Sequence, residues 1–339
     1  MTRRHRTAQR IGAAATRKTL AVVAILCLAC SGGAANAAET ATYPNQAVKI
    51  IVSFPAGTTV DALARIVSDK LGPALGQPVM VENRPGVSGN IGNDFAAKAA
   101  PDGYTLVVVS TTLVTLPATY GAHAVDPVNA FAPITKLAAE PVIILAHPAL
   151  HIESLPQLVA EARRHPGELT YSTTGIGTPP HLAAAMFSDV AGIKLLQVPY
   201  GSSATLMRDL LSGEVPLSFG YPTGKEPFLR SGQLKPLAVT GARRLASLPN
   251  VPTVAELGYP GFDVTAWFGI VAPAATPRTV VDRLNIEIRR ILTLPDVREA
   301  LAAQGIEPVA STPEEFAEDI KSDLARWTPV VRALGLRLQ

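Results

Sequence analysis

Four short segments of this chain place hydroxyls and glycines directly after apolar, strand-like runs. The first is Phe54-Pro55-Ala56-Gly57-Thr58-Thr59, inside VKIIVSFPAGTTVDALAR (48–65). The second is Ser110-Thr111-Thr112, after the predicted strand Thr105–Val109. The third is Thr173-Thr174-Gly175-Ile176-Gly177-Thr178, after Leu169–Ser172 and ahead of a helix that contains His181. The fourth is Pro199-Tyr200-Gly201-Ser202-Ser203, after Leu195–Val198. A strand that turns through small residues into a helix leaves unpaired backbone N–H groups aimed at one point, and such a point suits an anion. Together the segments offer glycine amides, hydroxyls and a phenol with almost no charge. That chemistry fits a small carboxylate. Charge-assisted hydrogen bonds contribute about 1.5–3 kcal/mol each, and a helix end adds about 0.3–1 kcal/mol. Several together reach micromolar affinity without an arginine.

Other chemistries find weaker support. Gly86-Val87-Ser88-Gly89-Asn90 lacks the last glycine of a nucleophile elbow. Gly224-Lys225 is followed by Glu226 and lacks the upstream glycine of a phosphate-binding loop. Gly175-Ile176-Gly177 carries Pro180 where a dinucleotide loop wants its third glycine, so no cofactor is expected. His147 and His151 stand four apart near Glu153, but Pro148 lies between them in a loop, so no metal site is read there. His181 reads as a histidine hydrogen-bonded to backbone in preference to a catalytic base.

The elements that must hold these loops alternate along the chain. Strands are also predicted at Val79–Glu82, Val142–Ala146, Leu217–Phe219, Leu237–Thr240 and Val264–Val271. Helical spacing runs through Val60, Leu63, Ala64, Val67 and Leu71, with Asp61 in the first turn, where a carboxylate meets the positive end of the helix dipole. Further helices are expected at Ser154–His165, Ala204–Leu211, Pro277–Leu292, Asp296–Gln304 and Pro313–Leu334. The last carries the core stripe Phe316, Ile320, Leu324, Trp327 and Val331. This alternation predicts an α/β protein with parallel sheets covered on both faces. No low-complexity linker divides it, which points to two lobes joined by crossing strands. Ligands of open α/β sheets sit beyond the carboxyl ends of the strands.

The N-terminus reads as an export leader. Six basic residues and no acid precede an apolar run, Leu20–Ala29, and Ala35-Asn36-Ala37 offers the small residues of a cleavage site. Arg3-Arg4 lacks the apolar residues a twin-arginine signal wants next, and Cys27 stands where a lipidation signal at Cys30 wants leucine. Plain export with cleavage after Ala37 is therefore expected. The formal charge of +3 then becomes about −3, which gives no reason to expect nucleic acid as a partner. Both cysteines leave with the leader, so thiolate chemistry and disulfides leave with them.

Taken in order, several segments resemble a known family, the Bug or TctC-like periplasmic solute-binding proteins of tripartite tricarboxylate transport systems. They are YPNQAVKIIVSFPAGTTVDALAR, GQPVMVENRPGVSGNIGNDFAAKAAPDGYTL, GIGTPPHLAAAMF, VPYGSSATLMRDLLSGEV, RRLASLPNVPTVAELGYPGFDVTAWFGIVAPAATP and TPEEFAEDIKSDLARW. The resemblance implies a two-lobe, type II-like Venus-flytrap fold with the ligand cleft between lobes. It implies a first lobe of 38–140 plus 265–339 and a second lobe of 141–264. It further implies a periplasmic, non-enzymatic receptor, taken here as monomeric, that binds a di- or tricarboxylate, amino acid or aromatic acid and serves integral-membrane permease subunits. The family's ligand loops fall on Phe54 to Thr59, on Gly175 to Thr178 with His181 just behind, and on Tyr200, Gly201 and Ser202. Thr58 replaces the family's usual second glycine, and Gly201 replaces a usual polar residue, so ligand identity is not read from the resemblance. The competing possibility is a secreted α/β hydrolase-like enzyme using Ser202 and His181.

Overall fold

The computed structural model describes residues 43–336. The predicted leader, its expected cleavage point and both cysteines lie outside the described residues. From Gln46 onward the chain packs as one unit. Its strands are β1 (Val48–Val52), β2 (Val79–Asn83), β3 (Thr105–Ser110), β4 (Phe131–Pro141), β5 (Ile143–Ala146), β6 (Thr170–Thr173), β7 (Leu196–Pro199), β8 (Leu217–Gly220), β9 (Lys235–Val239), β10 (Thr265–Pro273) and β11 (Glu307–Pro308). They form two sheets, ordered β11-β4-β10-β3-β1-β2 and β7-β6-β8-β5-β9. The helices are α1 (Thr59–Leu75), α2 (Asn90–Ala97), α3 (Thr112–Tyr120), α4 (Leu155–Arg164), α5 (Pro179–Ala191), α6 (Ser203–Ser212), α7 (Glu226–Arg230), α8 (Arg278–Leu292), α9 (Pro295–Ala302) and α10 (Pro313–Ala333).

Parallel pairing holds only for β1 with β2 and β3, and for β6 with β7 and β8. Elsewhere the expectation of parallel sheets is corrected. Strand β10 runs antiparallel to β3 and β4, and β5 runs antiparallel to β8 and β9. The reason is connectivity. These strands lie next to the points where the chain passes from one sheet to the other, so they enter from the opposite end and need no crossover helix.

The first passage is a single residue, Val142, between β4 and β5. The second returns from β9 to β10. Thr240, fully buried, ties both: its hydroxyl receives the Val142 N–H (3.0 Å) and donates to the Val264 carbonyl (2.6 Å). Strand β4 was not expected from sequence. Pro133 and Pro141 interrupt its pattern and cannot donate to a ladder. Its pairing with β10 absorbs this by shifting register at Phe268/Gly269 and at Ile270/Val271. Gly269 is required there, because a β-carbon would come 2.2 Å from the Phe316 ring of α10. The predicted α1 positions Val60, Leu63, Ala64, Val67 and Leu71 are all buried, as are Phe316, Ile320, Trp327 and Val331 of α10. Among the described residues, no helix is long and apolar enough to cross a membrane.

Candidate ligand-binding site

Two adjoining cavities lie between the sheets. The inner one, about 110 Å3, is walled on the first-sheet side by the β1–α1 turn, the end of β3 with the start of α3, and Phe268 of β10. Its second-sheet wall comes from Thr174, Thr178, the start of α6 and the run Ser218–Lys225 after and along β8. The outer one, about 390 Å3, lies between Ser53–Pro55, the turn Pro85–Gly89, Thr174–Ile176 and Pro199–Gly201. Phe54, Thr58, Thr174 and Ser203 face both cavities. The geometry follows from the strands: the loops at the carboxyl ends of parallel β1, β3, β6, β7 and β8 converge here.

Hydrogen-bond accounting decides which of these groups remain available to a ligand. Asp61, buried in the first turn of α1, accepts the Gly57 N–H (3.0 Å), Arg65 Nε (3.0 Å) and Asn83 Nδ2 (2.9 Å). Burial works to raise the Asp61 pKa, but these hydrogen bonds outweigh it and hold the carboxyl below its ordinary value. The Gly57 amide is thus spent on the protein. The Thr58 hydroxyl donates to the Pro55 carbonyl (2.8 Å) and the Thr178 hydroxyl to the Gly175 carbonyl (2.8 Å). Helix α5 opens with Pro179 and Pro180, which have no N–H to offer an anion. By contrast, the Thr112 Oγ1 and Ser218 Oγ atoms are buried with no hydrogen-bond partner, and both residues line the inner cavity.

The inner cavity is also not charge-free, as the loops alone suggested. Lys225 lines it, and its ammonium donates to the Tyr221 carbonyl (2.6 Å). Burial pulls the Lys225 pKa down, while Glu140 and Glu226 push it back up. Glu140, fully buried at the end of β4, accepts Thr59 Oγ1 (2.9 Å) from one side and both the Thr223 N–H (3.1 Å) and Oγ1 (2.7 Å) from the other. Burial raises the Glu140 pKa to about 7 against the lowering effect of those bonds and of Lys225.

Further bonds join the two sides. Ser88 Oγ donates to the Ile176 carbonyl and Thr115 Oγ1 to the Gly177 carbonyl, both at 2.7 Å. Val87 and Ser88 carry positive φ, 47° and 50°, a conformation that costs energy outside glycine and aims Ser88 across the gap. A β-carbon on Gly177 would meet Thr119 Cγ2 at 2.8 Å, so this glycine permits close approach of the two sides.

The model of the tripartite tricarboxylate transporter family receptor, TctC, matches residues 63–336. The chain belongs to this family. BugT of Bordetella pertussis is 34% identical over 327 residues, 95% of this chain and 99% of that one. Among solved structures, periplasmic binding protein BugD superposes with TM-score 0.83 at 31% identity, covering 87% of this chain and 100% of BugD. Rpa4515 of R. palustris, solved with adipate, superposes with TM-score 0.84 at 33% identity over 87% of this chain and 100% of its own. The fold is accordingly the two-lobe periplasmic binding protein fold with mixed α/β sheets.

Within this TctC-family chain, the expected site residues divide. Phe54, Gly57, Thr58, Thr59, Ser110 and Thr178 line the inner cavity, and Gly175, Ile176, Tyr200 and Gly201 line the outer. Ala56, Thr111, Gly177, His181 and Ser202 line neither. Ala56 is exposed at the turn. The Thr111 hydroxyl is bound into the β3–β10 edge by the Trp267 N–H (2.9 Å). His181 Nδ1 accepts the Gly177 N–H (3.1 Å), and burial lowers its pKa to about 4, so the ring is neutral. Ser202 caps α6 by accepting the Thr205 N–H (3.5 Å), which leaves Ser203 facing the cavities. The Tyr200 hydroxyl is held by Asp209 (2.9 Å) and is itself no free donor. Thr112, from the second of the hydroxyl-rich segments, lines the inner cavity as well, whereas sequence reasoning missed Ser218, Lys225 and the Pro85–Gly89 turn as site elements. The carboxyl-end rule applied to the predicted strand Leu217–Phe219 points to the segment from Gly220 to Lys225, though not to Ser218 within the strand.

Proposed function

We propose that this chain is a periplasmic receptor that captures a small carboxylate between its lobes and presents it to integral-membrane permease subunits without making or breaking a bond. The observation that carries this reading is the inner cavity, walled by both sheets, whose polar groups include the unpartnered Thr112 Oγ1 and Ser218 Oγ and the Lys225 ammonium, which has donors beyond its bond to the Tyr221 carbonyl. Hydroxyls and an ammonium recognise anions, and the first-turn amides of α1 add to them. The adipate in Rpa4515 supports a carboxylate as the ligand class. The proposed first lobe is 38–140 plus 265–339 and the second 141–264, in keeping with sheet membership, since β5 to β9 alone build the second sheet. Export by the leader, with cleavage after Ala37, gives the periplasmic location; the receptor acts as a monomer.

The hydrolase-like alternative needs Ser202 and His181 as nucleophile and base. The first is occupied as a helix cap, and the second is buried with Nδ1 engaged. A thermal-shift screen of the exported protein against mono-, di- and tricarboxylates, amino acids and aromatic acids tests the reading. At a hundred times its dissociation constant a true ligand adds about 2.7 kcal/mol, a rise of several degrees in Tm. No shift with any acid contradicts it.

A further inference from the structure

The turn at 86–89 is built against its own residue preferences. Its closing bond runs from the Gly89 N–H to the Gly86 carbonyl (3.0 Å). All four residues carry positive φ: 136° at Gly86, 47° at Val87, 50° at Ser88 and 97° at Gly89. Positive φ at both central positions is the mark of a type I′ turn, which glycine, asparagine and aspartate dominate. The flanking glycines take it freely, but the β-carbons of Val87 and Ser88 crowd the backbone, and Val87 is also β-branched. An ordinary type I turn keeps the same closing bond with negative φ at both positions. That form suits Val87 and Ser88 better and aims Ser88 elsewhere.

What holds the unfavourable form comes from the other sheet. Ser88 Oγ donates to the Ile176 carbonyl (2.7 Å), and Gly175 leaves the room, since a β-carbon there would stand 3.0 Å from Ser88 Oγ. The flanks of the turn are fixed to the first sheet. The Arg84 N–H binds the Val52 carbonyl (2.8 Å), and a β-carbon on Gly92 would strike Ser53 Cα at 2.8 Å. Asn90 donates to the His123 carbonyl (2.9 Å) and accepts the Val125 N–H (3.0 Å). Freedom to rearrange is thus confined to residues 86–89.

We propose that this turn is a two-state latch: the Ser88 bond holds it left-handed while the lobes are closed, and it relaxes to the right-handed form when they part. Ser88 is then a positioning residue that favours closure, and Val87 opposes it. The inference goes beyond the receptor reading and does not depend on what the ligand is.

Without its predicted leader the chain holds no cysteine, since its two are Cys27 and Cys30. A dye pair can therefore be placed at Asp102→Cys and Glu168→Cys, exposed positions ahead of β3 and β6, at strand ends away from the cleft. Single-molecule energy transfer on the ligand-free chain reads the closed-to-open ratio. Ser88→Ala is expected to lower it at least about twofold, through loss of one net hydrogen bond. Val87→Gly, which keeps that bond and relieves the crowding, is expected to raise it at least about threefold. In the Ser88→Ala background Val87→Gly is expected to change it by less than about 1.5-fold, because no bond remains to hold the left-handed form. A purely structural role for either residue lowers Tm without this coupling. An unchanged ratio in either single variant, additive effects in the pair, or no closed population in the wild type overturns the inference. None of these outcomes touches the receptor reading, which fails separately when no acid binds.

Discussion

Glu140 ends β4 without exposed surface and takes hydrogen bonds from both walls of the cavity, Thr59 on one and Thr223 on the other. Its pKa, raised to about 7 from an ordinary 4.5, means that the fold favours the uncharged acid. The stability this contributes is complete below about pH 4.5 and is lost as pH rises through about 7, a change on the order of 3 kcal/mol. His181, lowered to about 4, works in the opposite sense, because stability is lost as pH falls from 6.5 toward 4. The difference between wild type and Glu140→Gln removes that background. In urea unfolding from pH 4 to 8, this difference is expected to move against the wild type as pH rises; a constant difference contradicts the account. At this scale the sequence was legible in kind and inexact in place. Hydroxyl-rich loops were found where they are, but Thr112 and Ser203 face the cavities in place of their neighbours Thr111 and Ser202. Strand β3 runs one residue further than expected, to Ser110, and Ser202 is drawn off as a cap. Donor commitment was beyond sequence, since Asp61 takes the Gly57 amide through a fold-dependent geometry.

Among elements, the loop 173–178 reads as an anion cradle from its glycines, yet it works as a contact surface. Pro179 and Pro180 remove the helix-start donors, and the Gly177 N–H goes to His181. The loop's carbonyls at Ile176 and Gly177 accept Ser88 and Thr115 from the first-sheet side. Gly177 has φ of 74°, and an added β-carbon would strike Thr119. Gly177→Ala is therefore expected to hold the two sides apart and weaken ligand binding at least about tenfold by calorimetry. An unchanged dissociation constant contradicts the role given to this contact. The missed strand β4 has a physical explanation as well. Its two prolines and charged residues break the period-2 pattern, and only pairing with β10, with two register shifts, makes it a strand.

For the whole molecule, the order of elements and the family motifs were enough to expect a two-lobe α/β receptor. Strand direction was not, because it depends on where the chain passes between sheets, and Val142 and Thr240 fix that through tertiary hydrogen bonds. The first passage is the single residue Val142, whereas the second runs from Thr240 to Val264; in the proposed receptor a ligand shifts an open–closed equilibrium by as much as it prefers the closed form. Native mass spectrometry of the chain without its predicted leader, with a mixture of small carboxylic acids, tests the central claim most directly. One intact acid per chain, released unchanged, is the expected result; a chain that retains no acid, or releases an altered one, contradicts it.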